Sequence, residues 1–252
     1  MADGPWPLPY WIAHRGAGKL APENTLAAFR VGAGHGYRAF ECDVKLCADG
    51  VPFLLHDATL ERTTAAHGVA GERPWSELSR VDAGSWHSPA YAGEPIPSFE
   101  AIVTYVRRNG HALDIEIKPT PGHELATGQA LGREVLRLWE GADRLPLFTS
   151  FRPDALQGAR ETAPQVPRGL LLDTLWEGWE KMADALACAA VITNHAVMSP
   201  ELAARLHLQG RRALVYTVNE PEEAARMADC GVDGIVTDAV DRFDPAGAPA
   251  RA

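Results

Sequence analysis

Two apolar runs flank a tight turn in residues 39–56, which read AFECDVKLCADGVPFLLH. The first run, Ala39–Val44, has the length and composition of a fully buried strand. The second, Val51–His56, follows so closely that no crossover helix fits between the two runs, as a parallel pair would require. We therefore interpret Lys45–Leu55 as a β-hairpin that rises from the top of a parallel strand and returns.

The register of this hairpin is predicted from its turn. Asp49-Gly50 is a strong signal for a two-residue loop, which would pair Ala48 with Val51. That pairing sets His56 directly across from Asp43. Because directly opposed residues share one face of a sheet, we expect the imidazole and the carboxylate to lie close together.

Outward from this segment, the chain alternates short apolar runs with longer amphipathic ones, several of which open with Pro or an N-cap residue and close on Gly. Seven further strands are predicted, at Trp11–His14, Leu113–Lys118, Pro146–Phe151, Gly169–Leu172, Ala189–Thr193, Ala213–Val218 and Gly234–Thr237. Eight βα units in 252 residues predict an α/β protein with a (β/α)8 TIM barrel. In such a barrel the active site lies at the carboxyl ends of the strands.

The domain prediction is a single TIM-barrel domain over residues 1–252. Residues 57–97 are long for a barrel loop and carry short helix and turn signals, so we interpret them as a small cap subdomain inserted over the barrel mouth. Asn24 and Thr25 are interpreted as the N-cap of the first helix rather than as ligands. Trp75 and Trp86, both in the cap, are equally compatible with substrate contact and with packing of the cap.

Composition narrows the functional classes. The net charge of −9 argues against a nucleic-acid partner, and no apolar run is long enough to span a bilayer. The N-terminal segment lacks the basic flank and apolar core of a signal peptide, so a cytoplasmic protein without stable membrane association is expected. The four cysteines form no CxxC pair, which favours buried free thiols over a zinc site. The oligomeric state is left open.

The strand residues that carry chemistry are mostly acidic. Glu41 and Asp43 are two residues apart and project from one side of their strand, as do Glu116 and Lys118 in LDIEIK. Consecutive barrel strands adjoin, so three carboxylates converge at the mouth and would repel one another without a cation between them. An all-oxygen ligand set of this kind suits Mg²⁺ or Ca²⁺.

Cationic and imidazole groups are predicted beside these acids. His14 and Arg15 end the first strand, and His56 returns to the same place through the hairpin. Two imidazoles are a plausible acid and base near neutral pH, although the sequence does not say which is which. Arg15 and Lys118, with no other acid expected to pair them, are suited to grip a phosphate. This combination indicates phosphodiester cleavage.

Seven motifs in series resemble those of the glycerophosphodiester phosphodiesterases. The resemblance covers roughly Trp11 to Phe243 in the correct order. The motifs are His14-Arg15-Gly16, Ala21-Pro22-Glu23-Asn24-Thr25, Glu41-Cys42-Asp43-Val44, Asp49-Gly50-Val51-Pro52 with His56-Asp57, Leu60-Glu61-Arg62-Thr63-Thr64, Glu116-Ile117-Lys118 and Tyr216-Thr217-Val218-Asn219.

The resemblance implies a metal-dependent hydrolase that converts glycerophosphodiesters, the deacylated remains of phospholipids, into sn-glycerol 3-phosphate and an alcohol. Such an enzyme serves lipid and glycerol metabolism and needs a divalent cation, Mg²⁺ or Ca²⁺. The implied site consists of His14 and His56 as the catalytic pair, Glu41, Asp43 and Glu116 as metal ligands, Arg15 and Lys118 as phosphate-binding residues, and Phe151 and Tyr216 as pocket aromatics. Tyr216 occupies a position that is often Trp in relatives, which leaves the preferred head group open.

Two alternatives remain. A sphingomyelinase D-like phospholipase D would share the barrel and the two histidines, but it acts on intact lipid and needs an apolar membrane-facing surface. The cap sequence SRVDAGSWHSPAYAGEPIP, residues 79–97, is mixed instead. The other alternative is a non-catalytic barrel that only binds a glycerophosphoryl ligand.

Overall fold

The computed structural model describes residues 6–247, and its core is a closed barrel of eight parallel strands with one antiparallel strand attached. The strands are β1 (Trp11–Ala13), β2 (Ala39–Leu46), β3 (Pro52–Leu54), β4 (Ala112–Ile117), β5 (Leu147–Ser150), β6 (Arg168–Leu172), β7 (Ala190–Asn194), β8 (Arg212–Tyr216) and β9 (Gly234–Thr237). β1 pairs with both β9 and β2, which closes the barrel, and β3 pairs only with β2. The predicted (β/α)8 TIM barrel is confirmed.

Helices cover the outside of the barrel, except for one short helix within residues 57–97. They are α1 (Leu26–Gly34), α2 (Trp75–Leu78), α3 (Phe99–Arg108), α4 (Glu124–Leu138), α5 (Pro153–Thr162), α6 (Trp179–Ala185), α7 (Pro200–Leu208) and α8 (Pro221–Asp229). Thr25 caps α1 as expected, because its hydroxyl accepts a hydrogen bond from the backbone N–H of Ala28. Among the described residues, no helix is both long and apolar enough to cross a membrane.

The barrel interior has two parts. Its lower part, toward the amino ends of the strands, is an apolar layer that includes Ile12, Leu147, Ile192, Leu214 and Val236. Its upper part, toward the carboxyl ends, is acidic because of the register between β2 and β4. That register sets Glu41 beside Asp114 and Asp43 beside Glu116.

The hairpin forms, but its predicted register is wrong by one residue. Val44 pairs with Leu54, and the N–H of Cys47 donates to the carbonyl of Val51 over 3.1 Å. The loop therefore has three residues, 48–50, and Gly50 lies at φ 79, a left-handed conformation that glycine adopts without strain. A three-residue loop with a left-handed glycine is the next most common hairpin after the two-residue one, and the Asp-Gly signal does not separate them.

The shifted register changes how His56 reaches the site. The N–H of Leu55, and not that of His56, donates to the carbonyl of Asp43 over 3.1 Å. The strand ends at Leu54, and the chain then turns so that His56 borders the same cavity as Glu41. The charge of Asp43 acts on His56, so the two groups lie near each other as expected, while the cross-strand pairing behind that expectation was wrong.

The inserted segment has a small apolar core of its own. Leu60, Leu78 and Ile96 pack with Phe53 of β3, so the segment is fastened to the hairpin. Two short 3-10 turns, Ala70–Glu72 and Pro89–Tyr91, accompany α2 within it. All four cysteines are buried free thiols, as expected.

Candidate active site

The loop after β1 brings His14 and Arg15 to the barrel mouth. Arg15 lies at φ 50, a left-handed conformation that is strained for a side-chain-bearing residue and is found mostly where function requires it. Its backbone N–H donates to Oε2 of Glu41 over 3.1 Å. The imidazole Nε2 of His14 lies 3.7 Å from the same oxygen, and its Nδ1 is 2.6 Å from Oδ1 of Asp238. His14 is therefore oriented from behind by a carboxylate.

His56 is held in a parallel way from the hairpin side. Its Nδ1 lies 2.6 Å from Oδ1 of Asp57. Arg62 in turn donates to Asp57 over 2.6 Å and to Glu23 over 2.7 and 2.8 Å. Hydrogen bonds from Arg62, followed by the contact with His56, lower the pKa of Asp57 to about 2. Burial lowers the pKa of His56, which favours a neutral imidazole at neutral pH.

The three predicted ligands come together. One oxygen from each of Glu41, Asp43 and Glu116 lies within 4.8 Å of the other two. Oε1 of Glu41 and Oδ1 of Asp43 are buried without a hydrogen-bond donor, an arrangement that is unfavourable unless a cation occupies the space between the carboxylates. Hard oxygen donors in this number suit Mg²⁺ or Ca²⁺. The residues present therefore fit a divalent cation.

The acids respond differently to their surroundings. Burial, with the neighbouring Asp43 and Glu116 charges, raises the pKa of Glu41 well above its ordinary value. Burial, with repulsion from Asp43, raises the pKa of Glu116 to about 8. For Asp43 burial acts in the same direction, but Arg15 and Lys118 outweigh it and hold the pKa below its ordinary value. Asp43 is therefore the carboxylate of the cluster that stays negatively charged at neutral pH.

Both predicted phosphate-binding cations lie at the cluster, although they are not free of acids. Nε of Arg15 lies 3.1 Å from Asp43, and Nζ of Lys118 lies 2.8 Å from Glu116. Arg15 also donates to Glu23 over 2.9 Å, so the expectation that no other acid pairs it is wrong. Glu23 belongs to the APENT motif, residues 21–25, and the sequence did not predict a function for this glutamate.

Asn24 contacts the central carboxylate of the cluster, a role that the sequence did not predict. Its amide nitrogen donates to Oδ2 of Asp43 over 2.8 Å, and its amide oxygen accepts from the backbone N–H of Asp43 over 3.0 Å. The N-cap role belongs to Thr25 alone, and Asn24 fixes the orientation of the central carboxylate.

A cavity of about 200 Å³ opens from the cluster into the barrel. Phe151 and Tyr216 meet edge to face across its mouth with ring centroids 5.7 Å apart, and Lys118 lies 5.5 Å from the Phe151 centroid. Asp114, which the sequence did not single out, borders the same cavity and accepts a hydrogen bond from Thr149 over 2.7 Å. Burial raises the pKa of Asp114 to about 7. The remaining lining residues are Thr217 and three apolar side chains of the lower layer, Leu171, Ile192 and Val236.

A TIM barrel whose mouth joins three clustered carboxylates, two carboxylate-backed histidines and two cations has the arrangement expected of a phosphodiester hydrolase. Residues 14–242 match the family model described as the glycerophosphoryl diester phosphodiesterase family. The chain belongs to this family.

The chain is also similar to individual proteins of known sequence or structure. A glycerophosphodiester phosphodiesterase of Caldanaerobacter subterraneus is 32% identical over 232 residues, which cover 90% of this chain and 93% of the relative. An Oleispira antarctica phosphodiesterase, solved in complex with the product sn-glycerol-3-phosphate, superposes with a TM-score of 0.87 at 31% identity over 93% of this chain and 95% of its own. A glycerophosphodiester phosphodiesterase of Agrobacterium tumefaciens gives a TM-score of 0.80 at 27% identity, covering 95% and 100%.

Proposed function

We propose that the protein hydrolyses glycerophosphodiesters to sn-glycerol 3-phosphate and an alcohol, with a divalent cation held by Glu41, Asp43 and Glu116. The observation that carries the proposal is the convergence of these carboxylates within 4.8 Å, with oxygens that receive no hydrogen bond, at the cavity that both histidines border. A bound cation would neutralise the carboxylates and polarise a phosphate oxygen. Either Mg²⁺ or Ca²⁺ suits the ligand set.

The chain's own groups supply the rest of the chemistry. Arg15 and Lys118 hold the phosphate and stabilise the charge that grows on its oxygens in the transition state. His14 and His56 carry the proton transfers: one accepts the proton of the attacking oxygen, and the other donates a proton to the oxygen of the departing alcohol. The phosphorus–oxygen bond to that alcohol breaks, and the elements of water are added across it. Asp238 and Asp57 keep the two imidazoles oriented.

The cavity inside the barrel suits the glycerol group. It is small, and Leu171, Ile192 and Val236 line it, so it admits a three-carbon group rather than a bulky head group. Phe151 offers an apolar face to the carbon chain, and Asp114 offers a carboxyl group to a hydroxyl. The departing alcohol then lies on the other side of the phosphate.

The test is to incubate the pure protein with a panel of glycerophosphodiesters and to measure release of glycerol 3-phosphate with and without chelator. We expect release that stops on chelation and returns with Mg²⁺ or Ca²⁺. Turnover of vesicle-bound sphingomyelin or lysophospholipid instead would favour the phospholipase D alternative. Tight binding of glycerol 3-phosphate without turnover of any diester would indicate the non-catalytic barrel.

A further inference from the structure

A second cavity, of about 450 Å³, borders the same His14 and Arg15. It lies between the loop after β1, the end of β9 and the inserted segment. Its other lining residues are Gly18, Lys19, Glu23, Trp86, His87 and Asp238. Because the two cavities share His14 and Arg15, a diester whose phosphate lay at these residues would have room for one substituent in each cavity.

Hydrogen bonds and close packing build the wall of this second cavity. A Cβ on Gly18 would come within 2.1 Å of the carbonyl oxygen of Asp238, so only glycine allows the two loops to approach. The ring of His87 contacts the carbonyl of Lys19 over 3.0 Å, which joins the inserted segment to the loop after β1. The indole N–H of Trp86 donates to the carbonyl of Ala83 over 2.8 Å and fixes the orientation of its ring.

The two tryptophans of the inserted segment have different environments. Trp75 packs against Phe53 with ring centroids 6.4 Å apart and belongs to the apolar core of the segment. Trp86 is 40% exposed, borders the second cavity and stands edge to face with His87. Of the two roles that the sequence left open, Trp75 has the packing role, and Trp86 is free to contact a bound group.

The charges around the cavity favour an uncharged guest. Both acids are already engaged, since Asp238 contacts His14 and Glu23 binds Arg15 and Arg62. Within residues 6–247, no carboxylate lies within ion-pair distance of the Lys19 ammonium. Lys19 borders the cavity and its side chain is exposed, so a quaternary ammonium group bound there would lie near an unpaired positive charge. The attraction of an exposed tryptophan ring for a cation, about two- to fivefold in affinity, does no more than offset a repulsion of similar size, whereas an uncharged guest meets no repulsion.

We propose that this second cavity binds the departing alcohol, and that Lys19 and Trp86 select hydroxyl-rich, uncharged alcohols over quaternary ammonium alcohols. The Lys19 ammonium donates hydrogen bonds to hydroxyl groups, and the indole face of Trp86 packs against the C–H face of a polyol. The inference rests on the proposed function, because it assigns the second substituent of the same diester.

The experiment compares kcat/KM for glycerophosphoglycerol and glycerophosphoinositol with kcat/KM for glycerophosphocholine. We expect the wild type to favour the two polyol esters. Lys19→Glu should shift the ratio toward the choline ester by about tenfold, and Lys19→Met by about threefold. Trp86→Ala should raise KM for the polyol esters by about threefold or more, and Trp86→Phe should restore most of the loss. Lys181→Glu, at an exposed position of α6, is the matched charge control and should leave the ratio unchanged.

The ratio separates the possible outcomes. An equal loss for all three esters in Lys19→Glu, with the ratio unchanged, would show that Lys19 acts on the phosphate or on the fold and would overturn the inference. A wild-type preference for the choline ester would overturn it as well. Absence of turnover with every glycerophosphodiester would instead contradict the proposed function.

Discussion

The upper and lower parts of the barrel interior are built from opposite kinds of side chain. In the lower part, Ile12, Leu147 and Leu214 are fully buried and pack against one another. In the upper part, Glu41 and Asp43 are also buried but are ionisable. The same alternation of inward-facing residues continues through both parts, so the difference lies in the sequence and not in the backbone.

The comparison teaches which part stabilises the fold. Each buried aliphatic side chain contributes about 1.5–3 kcal/mol of transfer free energy. Buried carboxylates lose hydration, and their ion pairs with Arg15 and Lys118 repay that loss only in part. The lower part thus stabilises the fold. The upper part contains a cluster of acids that is unfavourable for folding but suited to binding a cation and, through it, a phosphodiester.

The largest expected effect on activity comes from the histidines of the upper part. His14→Ala and His56→Ala should each lower kcat by at least about 100-fold, the usual contribution of a positioned acid or base. The melting temperature should change little, because both side chains lie at the cavity surface. His67→Ala, at an exposed histidine of the inserted segment, is the control. Near wild-type turnover in either variant would remove that histidine from the mechanism.

The complementary change is made in the lower part. Leu214→Ala should lower the free energy of unfolding by about 2–5 kcal/mol, because it leaves a cavity in a fully buried layer. At temperatures where the variant remains folded, its kcat and KM should stay within about twofold of wild type, since Leu214 does not border the site. Denaturant titration and steady-state kinetics on one preparation measure both. A large loss of kcat in fully folded Leu214→Ala would abolish the distinction between the two parts.

Arg62 sharpens the comparison, because it touches neither the apolar layer nor the cavity. It links Asp57, which orients His56, to Glu23, which holds Arg15. Arg62→Gln should lower kcat/KM by about tenfold through misplacement of both groups, with little effect on melting because the side chain is 44% exposed. Arg62→Lys should restore only part of the activity, since an ammonium cannot bind both carboxylates in the same fork geometry.

The matched control for Arg62 is Arg73→Gln, which removes an exposed ion pair to Glu77 in the same segment. Unchanged kinetics in both variants would mean that Arg62 is only a surface residue. Equal losses of stability in both variants, with normal kinetics of the folded protein, would lead to the same conclusion.

The smallest expected effect is a gain of stability in the upper part. Glu41→Gln removes one of three adjacent buried carboxylates, so in chelator the variant should be more stable than wild type by about 1 kcal/mol. Thermal unfolding in chelator measures the gain, and the same variant should no longer be stabilised by added Mg²⁺ or Ca²⁺. A destabilised Glu41→Gln in chelator would show that the carboxylate supports the fold.

The sequence was sufficient to predict those elements that are specified by local patterns of residues. The strands follow from apolar runs, and the inward side of Glu41 and Asp43 follows from the two-residue period of a strand. The hairpin register was missed, because Asp49-Gly50 fits both a two-residue loop and the three-residue loop that forms. A difference of one residue in the loop changes every pair beyond it.

The supporting residues of the site were harder to predict for another reason. Asp238 contacts His14 across 224 positions of the chain, and Arg62 reaches Glu23 across 39. No local period connects such partners, so only the closed barrel reveals them. Arg62 stood in one of the quoted motifs, LERTT, but the motif alone does not say what its guanidinium binds.

The central claim is that one divalent cation is held jointly by Glu41, Asp43 and Glu116 between the two histidines. A crystal of the protein grown with Ca²⁺ or Mg²⁺ tests it most directly. We expect a single ion within about 2.0–2.6 Å of oxygens from all three carboxylates. An ion bound elsewhere, with the three carboxylates paired only to Arg15 and Lys118, would contradict the account.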